Sequence, residues 1–181
     1  MFSAQPDLDN LQATLKHLGR LLGDEAQAEQ LFKDYQQQLA LHGQQVDRLQ
    51  AQNKAPGVLL LLGHAGGKPL IAGKDTAADW LLTQAGGNNL ATHTGYKPFS
   101  IEALVGLNPE VLVFADRSLT GEAARQALMK ENPILASIRA ANDGRIYELD
   151  PTLLVGGLGP RLPASLKQLT ADFYPAASVN P

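Results

Sequence analysis

Apolar residues recur along the first fifty positions at spacings of three and four, the pattern of helices that each bury one face. Leu11, Leu15, Leu18 and Leu22 make the first stripe, with Asp7 or Asp9 placed to cap it and Gly23 to close it. Asp24 followed by Gln27 resembles a capping box and opens a longer stripe: Ala28, Phe32, Tyr35, Leu39, His42, Val46 and Leu49. Gln36, Gln37, Gln44 and Gln45 fall on the opposite face. A helix running to about Gln52 would span roughly 40 Å, at about 1.5 Å per residue. That length suits either a coiled coil or a strut between two lobes. Gly43 and His42 weaken the coiled-coil reading, and His42 reads as a stripe residue rather than a ligand.

The pattern changes across Asn53–Gly57. Val58-Leu59-Leu60-Leu61-Leu62 is an unbroken apolar run, which suits a strand buried on both faces of a parallel sheet. Val111–Phe114 is a second such strand; further strands are expected near 88–91 and at 145–149, the latter after the Asp143-Gly144 turn. Helices are predicted between them. One spans about 76–85, with Thr76 and Asp79 as a capping pair. Others run from Ser100 to before Pro109, over about 121–131, after Pro133, and from Pro160 to near Tyr174. This alternation predicts an α/β fold: a three-layer α/β/α Rossmann-like lobe with a mostly parallel sheet, preceded by the long helix. The expected division is a helical segment at 1–55, the lobe at 56–174 and a disordered tail at 175–181.

Composition narrows the function classes. The chain has 181 residues, 44% hydrophobic and 18% charged, enough for one domain with a sizeable core. A net charge of −3 offers no basic footprint for nucleic acid. The absence of Cys excludes thiol catalysis, disulfides and thiolate metal sites. No apolar run approaches the length of a membrane span. The opening MFSAQPDLDN shows neither the charged region nor the apolar region of a signal peptide.

Ligands of open α/β sheets bind past the carboxyl ends of the strands. Four edges are expected on that rim: residues 63–69, 92–98, 115–119 and 150–159. They would bring His64, Tyr96 and Arg117 toward one surface, with Lys68, Lys97 and Arg161 as further candidates. Imidazole can ligate a metal, guanidinium can clamp a carboxylate, and a tyrosine offers an apolar ring with a polar tip. The mix suits a flat, metal-containing, anionic molecule. Each residue also has a plain reading: His64 capping backbone groups, Tyr96 packing a loop, Arg117 pairing with Asp116 or Asp150. Gly63–Lys68 fails as a phosphate loop because Leu62 and Pro69 stand where Gly and Ser or Thr are required. Gly156–Pro160 lacks the spacing of a dinucleotide fingerprint, and no nucleophile elbow is present.

The stretches GHAGGKPLIAGKDTAADWLLTQAGGNNLATHTGYKPFSIEAL, NPEVLVFADRSLTG, NPIL and ELDPTLLVGGLGPRLPASL resemble the C-terminal lobe of periplasmic haem (hemin)-binding proteins. These are class III periplasmic substrate-binding proteins of bacterial ABC-type haemin importers. The likeness covers about residues 56–174 densely and 8–53 more loosely. It implies two α/β lobes joined by one rigid interlobe helix, with haem in the cleft, no catalysis and a periplasmic location. The family's N-terminal lobe and export signal have no counterpart in this sequence. In relatives a Tyr on that lobe usually binds the iron.

The resemblance implies a role for individual residues. His64 matches a position that can contact or ligate haem iron, and Arg117 matches a cleft position near haem. Tyr96 is expected to line the cleft by its location. Glu102, opening the SIEAL helix, resembles the surface acid that docks on basic residues of the permease; its plain reading is a favourable acid at a helix N-terminus. The expected partners are therefore haem and the ABC transporter permease. A siderophore or corrinoid cargo, or a small α/β enzyme using His64, are the alternatives. Without an N-terminal lobe, Leu11, Leu15, Phe32 and Tyr35 are expected to expose an apolar patch and favour self-association unless the helices fold back.

Overall fold

The computed structural model describes residues 8–63, 69–98, 100–116, 120–155 and 159–175. Two helices come first, α1 (Leu8–Leu22) and α2 (Glu25–Gln52). Asp24 caps α2 by accepting the Gln27 N–H at 3.1 Å, the interaction expected of that pair. The two helices fold back on each other. Gly19 lies so close to Ala28 that a Cβ there would come within 2.7 Å of the alanine methyl.

The sheet then forms from β1 (Gly57–Leu62), β2 (Leu70–Ala72), β3 (Asn88–Asn89), β4 (Tyr96–Pro98), β5 (Val111–Ala115) and β6 (Ile146–Glu148). Its order is β4-β2-β1-β5-β6, with β3 also paired to β1. The pairings of β1 with β3, β1 with β5 and β5 with β6 are parallel; those of β2 with β1 and β4 are antiparallel. The sheet is thus mixed and mainly parallel. The helices between strands are α3 (Ala77–Gln84), α4 (Ile101–Leu107), α5 (Gly121–Glu131) and the short α6 (Arg139–Asn142); α7 (Leu162–Phe173) closes the chain.

Alternation along the strands divides the core in two. Val58, Leu60, Ala72, Val111 and Val113 face α3 and α7. Leu59, Leu61, Ile71, Leu112 and Phe114 face the other way, toward Leu104 of α4, Ala124 of α5 and Leu135 of a 3-10 turn at Pro133–Ser137. This is the three-layer architecture predicted. Val58, Leu59, Leu60 and Leu112 are all completely buried, which explains why the central strands read as continuous apolar runs. Thr76 and Ser100 cap α3 and α4 as expected, accepting the N–H groups of Asp79 and Ala103.

Several expectations are corrected. The strand sought at 88–91 has only two residues, and 145–149 shortens to 146–148. The loop expected at 92–98 contains β4, and β2 was not foreseen at all. Both are three-residue strands defined by pairing with other strands, β2 with β1 and β4 and β4 with β2, which local pattern does not encode. Gly73 permits this pairing: its N–H bonds to the Gly95 carbonyl, and a Cβ there would sit 2.0 Å from the His93 carbonyl oxygen. The last helix begins at Leu162, so Pro163 rather than Pro160 occupies its first turn. The tail from 176 lies outside the described residues.

The exposed apolar residues are also different. Phe32 is buried and Leu11, Leu15 and Tyr35 are half-buried, because α1 folds onto α2 and Tyr35 packs on the lobe. The exposed leucines of α1 and α2 are Leu18, Leu21, Leu22, Leu31 and Leu41. The stripe of α1 faces its partner only in part.

Candidate functional site

The strand directions define the rim. β1, β5 and β6 end on it, and the backbone ladder continues one step further, with Gly63 N–H donating to Ala115 O at 2.9 Å. A Cβ on Gly63 would lie 2.5 Å from Asp116 Oδ2, so glycine leaves the space in which the Asp116 carboxylate lies over the end of β1. At the end of β6 the Glu148 carboxylate accepts the Gly121 N–H at the start of α5. Thr120 makes no side-chain cap there. Glu148 therefore acts as the acid at that helix N-terminus, where negative charge is favoured.

The next edge is held by a polar cluster. Asp150 accepts from Thr152 N at 2.9 Å and Thr152 Oγ1 at 2.6 Å. Arg161 donates through Nη1 to Asp150 Oδ2 at 2.7 Å and through Nη2 to Thr152 Oγ1 at 2.8 Å. The Thr152 hydrogen bonds, and then the Arg161 charge, hold the Asp150 carboxyl below its usual range. Arg161 reaches the rim already paired with a carboxylate. The Asp-Pro-Thr sequence at 150–152 signals such a turn, since an Asp side chain readily bonds the backbone two residues on.

The candidate residues are distributed as follows. His64 and Arg117 lie outside the described residues, as does Lys68. Tyr96 is half-buried on the α3 side of the sheet, level with Ala72 and two residues back from the rim end of β4. Burial raises its pKa, against hydrogen bonds from the Ala78 backbone and the Thr76 side chain. Its polar tip is therefore at the start of α3. Lys97 is exposed on β4. Glu102 is exposed in the first turn of α4, which leaves from the rim end of β4 on the opposite face from Tyr96. The structure thus does not bring Tyr96 and Glu102 together. Among the described residues no group of three or more His, Asp or Glu side chains is arranged to hold a metal ion. A polar groove of about 530 Å³ between Gln50, Lys74, Asp79 and Asn88 lies at the opposite, amino end of β1.

Tyr35 is a rim residue that sequence reading placed only in a stripe. Its hydroxyl donates to Gly159 O at 3.2 Å. From that level α2 descends along the lobe. His42 Nε2 lies 3.1 Å from Gln84 O and 3.4 Å from Thr170 Oγ1, while Gln50 and Tyr174 both donate to Gly86 O. These groups satisfy the carbonyls left open at the end of α3. Above Tyr35, ten residues of α2 and the paired α1 continue past the rim, by roughly 15 Å at about 1.5 Å per residue. A polar tip on an apolar helical stripe was the available signal for Tyr35, but its partner is 124 residues away.

Known proteins share this architecture. A crystal structure of a periplasmic haem-binding protein from Pseudomonas aeruginosa is 55% identical to this chain, covers 96% of it and superposes with a TM-score of 0.85. The haem-binding protein RhuT from Roseiflexus sp. RS-1 is 32% identical over 95% of the chain, with a TM-score of 0.76. YvrC of Bacillus subtilis, an uncharacterised ABC transporter substrate-binding lipoprotein, is 30% identical over 104 residues, or 57% of this chain. The chain spans 62% of the Pseudomonas structure, 65% of the Roseiflexus structure and 31% of the Bacillus protein. These homologues are substrate-binding proteins rather than enzymes, in agreement with the expectation of binding without catalysis. Residues 1–153 match the family described as periplasmic binding protein, and with that match spanning most of its length this chain belongs to the periplasmic binding protein family.

Proposed function

We propose that this chain forms one wall of a haem site in the periplasmic substrate-binding component of an ABC-type haemin importer. The observation that carries the reading is the 55% identity and matching fold over 96% of the chain with the Pseudomonas haem-binding protein. The rim supplies the physical support: strand ends converge there, and the α1–α2 hairpin stands beside them as a wall. In this reading residues 1–55 include the interlobe helix, 56–174 form the C-terminal lobe and 175–181 are a tail. His64 contacts or ligates the iron, Arg117 pairs with a propionate or the opposite ligand, and Tyr96 lines the lobe near the cleft. A neutral imidazole is a competent axial ligand to haem iron. Haemin titration followed by visible absorption tests the reading. A saturable, shifted Soret band that weakens in His64→Ala and Arg117→Ala is expected; a chain that gives no such band carries another cargo.

Glu102 has a separate role in this proposal. It is exposed at the start of α4, where its charge can steer the protein onto a basic permease surface. In a two-lobe version, Glu102→Ala is expected to leave haem affinity intact and lower importer-dependent uptake. Unchanged uptake would remove the docking role.

A further inference from the structure

The turn at Gly159–Arg161 leads into α7, whose first two residues, Leu162 and Pro163, are buried. Arg161 at its N-cap makes no side-chain cap. Among the described residues, a Cβ added at Gly159 would find nothing within 4 Å, so side-chain packing at that residue adds nothing to the turn's position. Hydrogen bonds act there beside the burial of Leu162 and Pro163. The Gly159 carbonyl accepts both the Leu162 N–H, at 3.1 Å, and the Tyr35 hydroxyl of α2, at 3.2 Å. Burial pushes the Tyr35 pKa up to about 12, so the phenol remains a donor at every physiological pH. On the other side, Arg161 holds the turn to Asp150 and Thr152.

We propose that Tyr35 is a positioning residue for the rim: its hydroxyl ties the long helix to the 159–161 turn at the level where that helix leaves the lobe. The bond sets the position of the turn that carries Arg161, and it links any tilt of α2 to the shape of the rim. At 3.2 Å it is longer than the roughly 2.7–2.8 Å typical of O–H···O bonds, so a small displacement of either partner breaks it. The effect on ligand rests on the haem reading above; the tie itself does not.

Tyr35→Phe tests the proposal, since it keeps the ring and removes only the hydroxyl. Amide hydrogen exchange and haemin titration are measured on the full chain and on the variant. Exchange of the Leu162 amide and its neighbours is expected to rise about fivefold, the value of one ordinary hydrogen bond of about 1 kcal/mol. Exchange in β1 and β5 stays unchanged, which reports an intact fold. Haemin affinity falls by a similar factor with the Soret position unchanged. Equal exchange of the turn in both proteins would overturn the tie. A loosened turn with unchanged haemin affinity would overturn its effect on ligand. A loosened turn in a chain whose parent gives no saturable Soret shift would support the tie and refute the haem reading.

Discussion

The two parts of α2 live in different surroundings. From Tyr35 to Gln52 the helix is part of the lobe: Tyr35, Leu39 and Leu49 pack on the sheet's core, and His42 and Gln50 bond the carbonyls that end α3. From Glu25 to Asp34, among the described residues, it buries Ala28 and Phe32 where α1 packs along it, and Leu31 remains exposed. The lobe-side part combines apolar burial with directional bonds to two other helices. The outer part has a narrow apolar seam and little else. A helix can be continuous in backbone and yet be anchored along only part of its length.

The largest expected difference is between the cores. Leu60→Ala empties a completely buried position in the central strand and should cost about 2–5 kcal/mol in chemical denaturation. Phe32→Ala, in the α1–α2 seam, should instead mainly raise hydrogen exchange within residues 8–34. If Phe32→Ala lowered the global midpoint as much as Leu60→Ala, the two parts would be one cooperative unit and the comparison would fail.

His42→Ala probes the directional bonds. It leaves Gln84 O without its imidazole partner and should cost about 1–3 kcal/mol. It should also release the lobe-side part of α2, seen as faster exchange near residues 42–50.

The same residue predicts a pH dependence. Burial lowers the His42 pKa, partly opposed by the bond to Gln84 O. The unfolded chain therefore takes up the proton first, near the ordinary value of 6.5. The stability from burying neutral His42 is complete above that pH and is lost as pH falls through it toward the depressed native value. Stability curves for the parent and His42→Gln should diverge above pH 6.5 and converge below. Parallel curves across the whole range would show that protonation of His42 is not linked to folding.

The smallest effect is expected at the tip of the hairpin. Leu22 is 80% exposed, and Leu22→Gln should change stability by no more than about 0.5 kcal/mol. Light scattering should show less self-association in that variant, because Leu18, Leu21 and Leu22 form the apolar surface of this end. Association unaffected by the change would assign it to another surface.

The sequence by itself determined the helices with strong period and caps, and the two strands buried on both faces. Asp24, Thr76 and Ser100 bond within three residues of themselves, and Val58–Leu62 needs no register to be apolar throughout. Such signals are local, so they survive without knowledge of the fold. The rim ends of β1, β5 and β6 followed from the same alternation, whereas the edge expected at 92–98 runs along the sheet as β4 and reaches the rim at Pro98. Tertiary structure decided the rest. β2 exists as a strand because it pairs with β1 and β4, and β4 because it pairs with β2 across the space left at Gly73. Tyr96 could line a cleft or pack a loop from its sequence alone; the pairing of β4 places its ring on the α3 side of the sheet. Arg161 read only as a further candidate for the rim until Asp150 and Thr152 were folded against it, and Tyr35 read as one more stripe residue until Gly159 came within reach. In each case the deciding partner is distant in sequence or belongs to another element, and a hydrogen bond depends on ångström-scale placement that no residue pattern carries.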